Sequence, residues 1–185
     1  MTTTALLVLD LQRDFLDGTA RMPIARAQVA PLLSVTNLLL DDAAARAMPV
    51  VYIVNAFPRS QHLLNFFRRG AAVVGTPGAE IDPRVHAVPG VTFPKESNDA
   101  FTNPALDSFL RERGIARVVV LGVFAPHCVR ATVRGALGRG YEVAVVSDGV
   151  GAASPGARDR AVARMAKDGA QIATAERLLS LASQS

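Results

Sequence analysis

The sequence predicts an α/β fold: a single-domain, doubly wound, mainly parallel six-stranded sheet with helices on both faces. Short apolar, β-branched runs alternate with longer helical segments along the 185 residues. This alternation is typical of a parallel sheet covered by helices on both sides. Half of the residues are hydrophobic and 19% are charged, which argues against disorder. A chain of this length is expected to form one domain, residues 1–185.

The individual elements follow from short sequence signals. The predicted strands lie at residues 5–11, 50–55, 90–94, 117–122, 142–147 and 170–174. The predicted helices lie at residues 25–47, 103–114, 127–139, 155–168 and 174–182. Asn103-Pro104 and Ser154-Pro155 each place a capping residue before a proline at the first helical position. Gly114 and Gly140 stand where helices are expected to stop. Residues 56–89 are the least regular region, which favours a lid or binding loop.

Three residues are candidates for chemistry at the ends of predicted strands. Cys128, the single cysteine, falls after a β-branched strand where a helix should begin, and a helix N-terminus stabilises a thiolate. Asp10 lies near the C-terminal end of the first strand, and Lys95 is one of two lysines in the chain. Ligand chemistry in open α/β sheets lies outside the carboxyl ends of the strands. The alternatives are an inert buried thiol, a surface lysine and a carboxylate that caps a turn or pairs with Arg13.

Four segments around these residues occur in a recognisable order: residues 7–15, 75–81, 95–101 and 122–132. Together they resemble the isochorismatase-like family of cysteine hydrolases, which includes nicotinamidases, N-carbamoylsarcosine amidohydrolases and ureide hydrolases. The resemblance implies that Cys128 is the nucleophile, that Asp10 transfers protons, and that Lys95 lowers the thiol pKa and holds the carboxylate. It also implies an oxyanion hole formed by the backbone N–H groups of Phe124 and Cys128, with a cis peptide bond between Val123 and Phe124.

The activity implied by the resemblance is hydrolysis of a C–N bond in a small amide, ureide or carbamoyl compound through a thioester acyl-enzyme, without a cofactor. Alternatives are a nicotinamidase and an isochorismatase-type vinyl-ether hydrolase, whose chemistry needs no thiol. A catalytically silent binding or scaffold protein with the same fold is the alternative from another class. Ala125 and Pro126 replace a small hydroxylated and an acidic residue of the family, and Asp99 stands where serine is common. Because of these departures, the resemblance does not identify the substrate.

No metal site is expected. Nicotinamidases of the family carry an aspartate and two histidines after the second strand, whereas residues 55–64 contain only His62. Catalytic zinc usually takes three protein ligands. For substrate binding the sequence predicts Phe15, Phe57, Arg59 and His127, since aromatic rings wall small pockets and a guanidinium binds carboxylates.

The charge and composition of the chain indicate which kinds of molecule it is expected to bind. The net charge is +4 and the pI about 10.0, but the arginines are scattered and no basic strip with interleaved aromatic residues occurs, so no nucleic acid is expected. A positive field favours an anionic small molecule. No apolar run is long enough to cross a membrane. The single cysteine and the absence of a signal-like N-terminus predict a cytoplasmic protein, and the resemblance implies a homo-oligomer, either a dimer or a tetramer.

Overall fold

The computed structural model describes residues 3–182 and contains an all-parallel sheet of six strands in that range. The strands are β1 (Thr4–Leu9), β2 (Val50–Asn55), β3 (Val91–Lys95), β4 (Arg117–Val123), β5 (Glu142–Gly151) and β6 (Gln171–Ala173). Their spatial order is β3-β2-β1-β4-β5-β6. The chain therefore winds from the centre to one edge and then from the centre to the other, which confirms the predicted doubly wound sheet.

The helices occupy the connections between these strands. They are α1 (Arg13–Leu16), α2 (Arg26–Ala45), α3 (His62–Phe67), α4 (Pro104–Glu112), α5 (Arg130–Leu137), α6 (Pro155–Asp168) and α7 (Ala175–Ala182). Short 3₁₀ turns lie at Pro77–Ala79 and Ala100–Thr102, and a π-helical turn lies at Ala125–Val129. Across residues 3–182, none of the helices combines the length and apolar character that a membrane crossing requires.

The five predicted helices are confirmed, with one correction at a start. The helix predicted at 127–139 begins as α5 at Arg130, because the π-helical turn precedes it. The sequence did not predict α1 or α3. The four residues of α1 are too few for a periodic pattern. Helix α3 has only six residues, so its apolar residues span too short a window for helical periodicity to be recognised in the sequence.

The sheet separates two hydrophobic clusters, and alternate residues of each strand face one or the other. In β1, Leu7 and Leu9 belong to one cluster while Leu6 and Val8 belong to the other. The first cluster is covered by α4, α5 and α6, and the second by α2 and α7. Both faces of the central strands are thus buried, as the continuous apolar runs predict.

The predicted helix caps are present. The side chains of Asn103 and Ser154 each accept a backbone N–H from the first turn of the helix that follows. Gly114 and Gly140 adopt positive φ angles of 61° and 85° where the chain leaves α4 and α5. A left-handed residue at these points ends a helix at little steric cost only when it is glycine.

Gly122 in β4 permits the close approach of β1 that the site requires. It lies opposite Leu9 in the strand register and has a φ of 124°. A Cβ atom at this position would overlap the carbonyl oxygen of Leu9, which immediately precedes Asp10. Gly122 therefore combines two demands that only glycine meets: a left-handed φ and no side chain.

We expect Gly122→Ala to lower the free energy of unfolding by more than about 3 kcal/mol, because strain and overlap with backbone add together. Gly140→Ala is the matched control, since Gly140 also has a positive φ but nothing lies within 4 Å of the place that a Cβ atom would take there. The control should lose only about 1–2 kcal/mol. Urea unfolding of both variants measures the difference, and equal losses would contradict the overlap argument.

Candidate active site

The structure brings together the three residues predicted to carry chemistry. Asp10 follows β1, Lys95 ends β3, and Cys128 lies in the π-helical turn after β4. The Lys95 Nζ atom lies 2.9 Å from Asp10 Oδ2 and 3.3 Å from Cys128 Sγ. All three residues are buried, with exposed fractions of 0%, 3% and 6% for Asp10, Lys95 and Cys128. They meet at the carboxyl ends of the strands, where the strand order reverses between β1 and β4.

Asn55, the last residue of β2, completes the surroundings of the Lys95 ammonium group. Its side-chain oxygen Oδ1 accepts a hydrogen bond from Lys95 Nζ at 2.6 Å. An ammonium group has three donors, and Asp10, Asn55 and Cys128 supply one partner for each. The buried Nζ is thus held in one position between the carboxylate and the thiol.

Gln12 in turn fixes Asn55. The Gln12 side chain is fully buried and donates to the backbone carbonyl of Asn55 at 2.8 Å, while it accepts the Asn55 N–H at 2.9 Å. It also donates to the carbonyl of Ala79 at 2.7 Å. One amide therefore joins the ends of β1 and β2 to the 3₁₀ turn at Pro77–Ala79, and these pairings satisfy a polar group that would be costly to bury alone.

Asn55 and Gln12 were not predicted from the sequence as site residues. Asn55 had a usable signal, because it is a polar residue at the carboxyl end of a buried strand, as Asp10 is. Gln12 had no comparable feature in the sequence, because it lies after the end of the strand, where a polar residue is expected in a turn. Asn98, also not predicted, places its Oδ1 3.7 Å from Cys128 Sγ.

Asp10 is held in an environment that favours proton uptake. Burial raises the pKa of its carboxyl group, and the positive charge of Lys95 only partly opposes this effect. The residue has a φ of 55°, a left-handed conformation that aspartate tolerates better than most residues. Within residues 3–182, Asp10 Oδ1 has no donor in hydrogen-bonding geometry. This oxygen therefore retains the capacity to accept a proton.

The thiol of Cys128 differs from the sequence-based expectation. Burial, followed by the negative charge of Asp10, raises the pKa of Cys128 to about 12. Lys95 acts in the expected direction and lowers the pKa, but it is outweighed. In the resting site the sulfur is therefore a thiol at neutral pH, so that a base must remove its proton when it attacks.

We expect iodoacetamide to modify Cys128 slowly at neutral pH in the absence of substrate. A pKa near 12 leaves roughly a thousandfold less thiolate at pH 7 than an unperturbed cysteine has. The modification rate should keep rising above pH 9, where the rate of free cysteine levels off. Mass spectrometry of the alkylated protein across pH 6–11 checks this, with free cysteine as the control. Modification faster than that of free cysteine at pH 7 would contradict it.

We expect Asn55→Leu to lower kcat roughly a hundredfold, because Lys95 Nζ loses the acceptor that positions it. Asn55→Asp keeps the acceptor but adds a negative charge, which raises the pKa of Asp10 further. Activity requires an ionised Asp10, so the acid limb of the pH profile should move to higher pH in Asn55→Asp. A purely structural role for Asn55 would leave that limb in place in both variants.

The turn that carries Cys128 is preceded by a cis peptide bond between Val123 and Phe124, as the resemblance implies. The N–H groups of His127 and Val129 donate to the carbonyl of Phe124, at 3.0 and 3.2 Å. These bonds place the backbone N–H groups of Phe124 and Cys128, the predicted oxyanion donors, in one compact turn. Ala125, where the family has a hydroxylated residue, is fully buried in this turn.

Of the four residues predicted to bind substrate, one lines the open cleft beside Lys95. This cleft has a volume of about 1040 Å³ and is bordered by Arg59 and Arg68. Arg59 donates to the backbone carbonyls of Val74 and Gly75, and the Arg68 guanidinium lies 3.7 Å above the Phe57 ring. Neither arginine has a carboxylate partner within residues 3–182.

The other three predicted binding residues lie elsewhere. Phe15 and Phe57 belong to the buried cluster on the α2 side of the sheet, with exposed fractions of 3% and 8%. Phe15 still adjoins the site, because its ring packs edge-on against Phe124 at 5.4 Å. His127 is exposed and does not line the cleft. The sequence identified residues near the site but not which way their side chains point.

The site residues do not fit a metal ion of the kind that nicotinamidases carry. Asn55 stands at the end of β2 and its Oδ1 is engaged by Lys95, while Phe57 is buried in the core. His62 lies on α3, a helix without buried side chains. Over the described part of the chain, no three His, Cys, Asp or Glu residues cluster closely enough to hold a metal.

A buried thiol beside an ammonium group and a carboxylate, at the switch point of a parallel sheet, is an arrangement suited to a cysteine-dependent hydrolase. Comparison with known proteins agrees. The family model described as Isochorismatase domain matches residues 4–177. The chain is 31% identical to a probable inactive nicotinamidase of Arabidopsis thaliana over 171 residues, covering 82% of each chain. It is 29% identical over 181 residues to the nicotinamidase of Escherichia coli, covering 80% of this chain and 83% of the relative.

The fold matches solved structures equally well. An isochorismatase family protein from Desulfovibrio vulgaris superposes with a TM-score of 0.88 at 28% identity, over 99% of this chain and all of that one. The chain belongs to the isochorismatase family. Relatives of the chain include hydrolases that act on non-peptide C–N bonds, such as the nicotinamidase of Escherichia coli.

Proposed function

We propose that the protein hydrolyses the C–N bond of a small amide, ureide or carbamoyl compound, with Cys128 as nucleophile and a thioester acyl-enzyme as intermediate. The observation that carries this proposal is the Lys95 ammonium group, which contacts both Asp10 and Cys128 in a buried site. Such contacts link a proton acceptor to a nucleophile, as covalent catalysis requires.

Acylation begins with the neutral thiol. Asp10 takes the Cys128 proton as the sulfur attacks the carbonyl carbon of the substrate, which avoids forming a free thiolate of pKa about 12. The negative charge that develops on the carbonyl oxygen is stabilised by the backbone N–H groups of Phe124 and Cys128. When the tetrahedral intermediate collapses, Asp10 gives its proton to the departing nitrogen and the C–N bond breaks.

Deacylation reverses the proton path. Asp10 removes a proton from water as the water oxygen attacks the thioester carbon, and the sulfur leaves as the acid is formed. The proton held by Asp10 returns to the sulfur, which restores the thiol. Burial lowers the pKa of Lys95, but the carboxylate of Asp10 outweighs this effect and raises the pKa overall, so Lys95 is charged in the resting site.

The cleft favours a substrate that carries a negative charge away from the scissile bond. Arg59 and Arg68 line it together with Gln61, Ser97 and Asn103, whereas Glu96 is the single carboxylate that lines it among residues 3–182. A guanidinium group without a carboxylate partner is suited to bind a carboxylate of the substrate. We therefore propose that Arg59, as predicted from the sequence, and also Arg68 bind the substrate.

Particular residues distinguish the alternatives. The metal ligands expected of a nicotinamidase do not assemble here, and an isochorismatase-type vinyl-ether hydrolase needs no buried thiol. A catalytically silent binding protein is consistent with Ala125 and Pro126. The linked contacts of Asp10, Lys95 and Cys128 favour an enzyme over that alternative, because a binding role gives no reason to bury two charges next to a thiol.

The test is ammonia or amine release from a panel of small amides, ureides and carbamoyl compounds, with and without a carboxylate. We expect release from a carboxylate-bearing member, unaffected by EDTA. Loss of activity with EDTA would indicate the metal-dependent nicotinamidase chemistry. Release from no member would favour the silent binding protein.

The proposed enzyme is a single cytoplasmic domain that needs no cofactor. We take residues 1–185 as one domain, since a single sheet underlies both hydrophobic clusters. We propose a cytoplasmic location because the chain's one cysteine cannot form an intramolecular disulfide. The mechanism uses protein groups and water alone, so that it requires no cofactor.

A further inference from the structure

Helix α3 is oriented with its apolar side chains outward. Successive residues of a helix are about 100° apart, so Leu63, Leu64, Phe66 and Phe67 share an arc of about 160°. Their exposed fractions are 70%, 50%, 77% and 73%. The inward side carries Asn65, whose Nδ2 donates to the carbonyl of Pro58 at 2.8 Å. This is the reverse of a surface helix, which buries its apolar face.

The packing of α3 within one chain does not account for its stability. The helix has six residues and none of them is buried. Helices shorter than about 12 residues are marginal in water and depend on the packing of an apolar face. That face of α3 is largely exposed within residues 3–182, so contact with another molecule would stabilise the helix.

The exposed surface is large for a monomer. The four apolar residues of α3 and Val74, which is 49% exposed, form what we call the α3 patch. Side chains of this size contribute roughly 500 Å² together, which is near the upper end of the largest apolar patch that a monomer usually exposes, and such patches often bind a partner. A stable dimer needs roughly 800 Å² from each partner. The polar residues that border the patch supply the remainder, as the rim of an interface does.

The border of the α3 patch has opposite charges at its two ends. Arg69 follows the C-terminal end of α3 and is exposed, with no side-chain hydrogen bond or ion pair to the rest of residues 3–182. At the N-terminal end, Gln61 donates to the exposed carboxylate of Glu96 at 3.1 Å and accepts from the half-buried Arg68 at 3.1 Å. An antiparallel pairing of two α3 helices about a two-fold axis therefore sets apolar side chains against each other and brings Arg69 of each copy to Glu96 of the other.

We propose that the α3 patch is the interface through which two copies of this chain associate, with the α3 helices antiparallel across a two-fold axis. Such an interface is self-complementary, as a closed dimer requires. Leu64 and Val74 of the patch also line the cleft beside Lys95, so the interface adjoins that cleft. No residue of the patch belongs to the Asp10, Lys95 and Cys128 cluster, and the association of two copies does not depend on the proposed catalytic mechanism.

Sedimentation velocity at micromolar protein and about 0.15 M salt tests the proposal. The wild-type chain should sediment as a dimer or tetramer, and the Phe66→Glu/Phe67→Glu variant should have half that mass. Leu38→Glu is the matched control, since Leu38 on α2 is 51% exposed outside the patch, and it should keep the wild-type mass. Circular dichroism confirms that each variant is folded. A monomeric wild type, or a patch variant of unchanged mass, would overturn the proposal.

A cross-linking experiment tests the same interface if the Phe66→Glu/Phe67→Glu variant does not fold. In a Cys128→Ser background, Phe66→Cys introduces one thiol near the proposed two-fold axis and Leu38→Cys introduces one far from it. Mild oxidation should convert most of the Phe66→Cys protein, and little of the Leu38→Cys protein, to a disulfide-linked pair. Equal or negligible cross-linking of the two would contradict the proposed interface.

Discussion

Asp10→Asn is expected to lower kcat by about 10³-fold or more. General acid–base catalysis contributes roughly 10²–10⁴-fold, and Asp10 is assigned four proton transfers in the proposed cycle. Removal of the Cys128 proton by Asp10 is essential because the thiol has a pKa of about 12 and supplies almost no thiolate by itself. Asparagine keeps the volume and an acceptor for Lys95 but cannot take up a proton.

Asp82→Asn provides a matched control for Asp10→Asn. Asp82 is also buried, with an exposed fraction of 1%, but its carboxylate pairs with Arg84 rather than with Lys95 or Cys128. Its loss should affect stability while leaving kcat within about threefold of the wild-type value, since it touches none of the reacting groups. Steady-state kinetics of both variants separate the roles. A similar loss of kcat in both would remove Asp10 from the mechanism.

Cys128→Ala is expected to have the largest effect, a loss of at least about 10⁴-fold in kcat on the best substrate. Alanine offers no nucleophile, and water alone must then attack the unactivated C–N compound. The variant should still fold, because Cys128 makes its side-chain contacts through sulfur to Lys95 and Asn98 only weakly, at 3.3 and 3.7 Å.

Substrate binding by Cys128→Ala provides the internal control. Isothermal calorimetry should detect the best substrate with a Kd near the wild-type KM, since the cleft residues are unchanged. Activity of Cys128→Ala above about 1% of wild type would mean that another group attacks the substrate. Loss of both binding and folding in this variant would instead make Cys128 a structural residue.

The fold was predictable because its signals are local. Buried parallel strands such as β1 and β4 are continuous apolar runs, and Asn103 and Ser154 mark helix starts with their caps. The three chemical residues were predictable for a related reason: each lies at or shortly after the carboxyl end of a strand, where ligand chemistry occurs in open α/β sheets. The same rule, applied to Asn55, would have found the third partner of Lys95.

The electrostatics and the binding surface depend on packing that no local pattern reveals. The thiol pKa depends on the balance among burial, Asp10 and Lys95, and the sequence suggests only the Lys95 contribution. The side-chain directions of Phe57 and His127 depend on how residues 56–89 fold over β2. Helix α3 was missed because its six residues are too few for helical periodicity to be recognised.

The proposed mechanism requires a thioester between Cys128 and the acyl group of the substrate. Rapid acid quenching during turnover, followed by intact-mass and peptide mass spectrometry, detects this intermediate. We expect a mass increase equal to the acyl group on the peptide that contains Cys128, absent from Cys128→Ala and removed by hydroxylamine. Full turnover of substrate with no acyl adduct at any quench time, or an adduct that persists in Cys128→Ala, would contradict it.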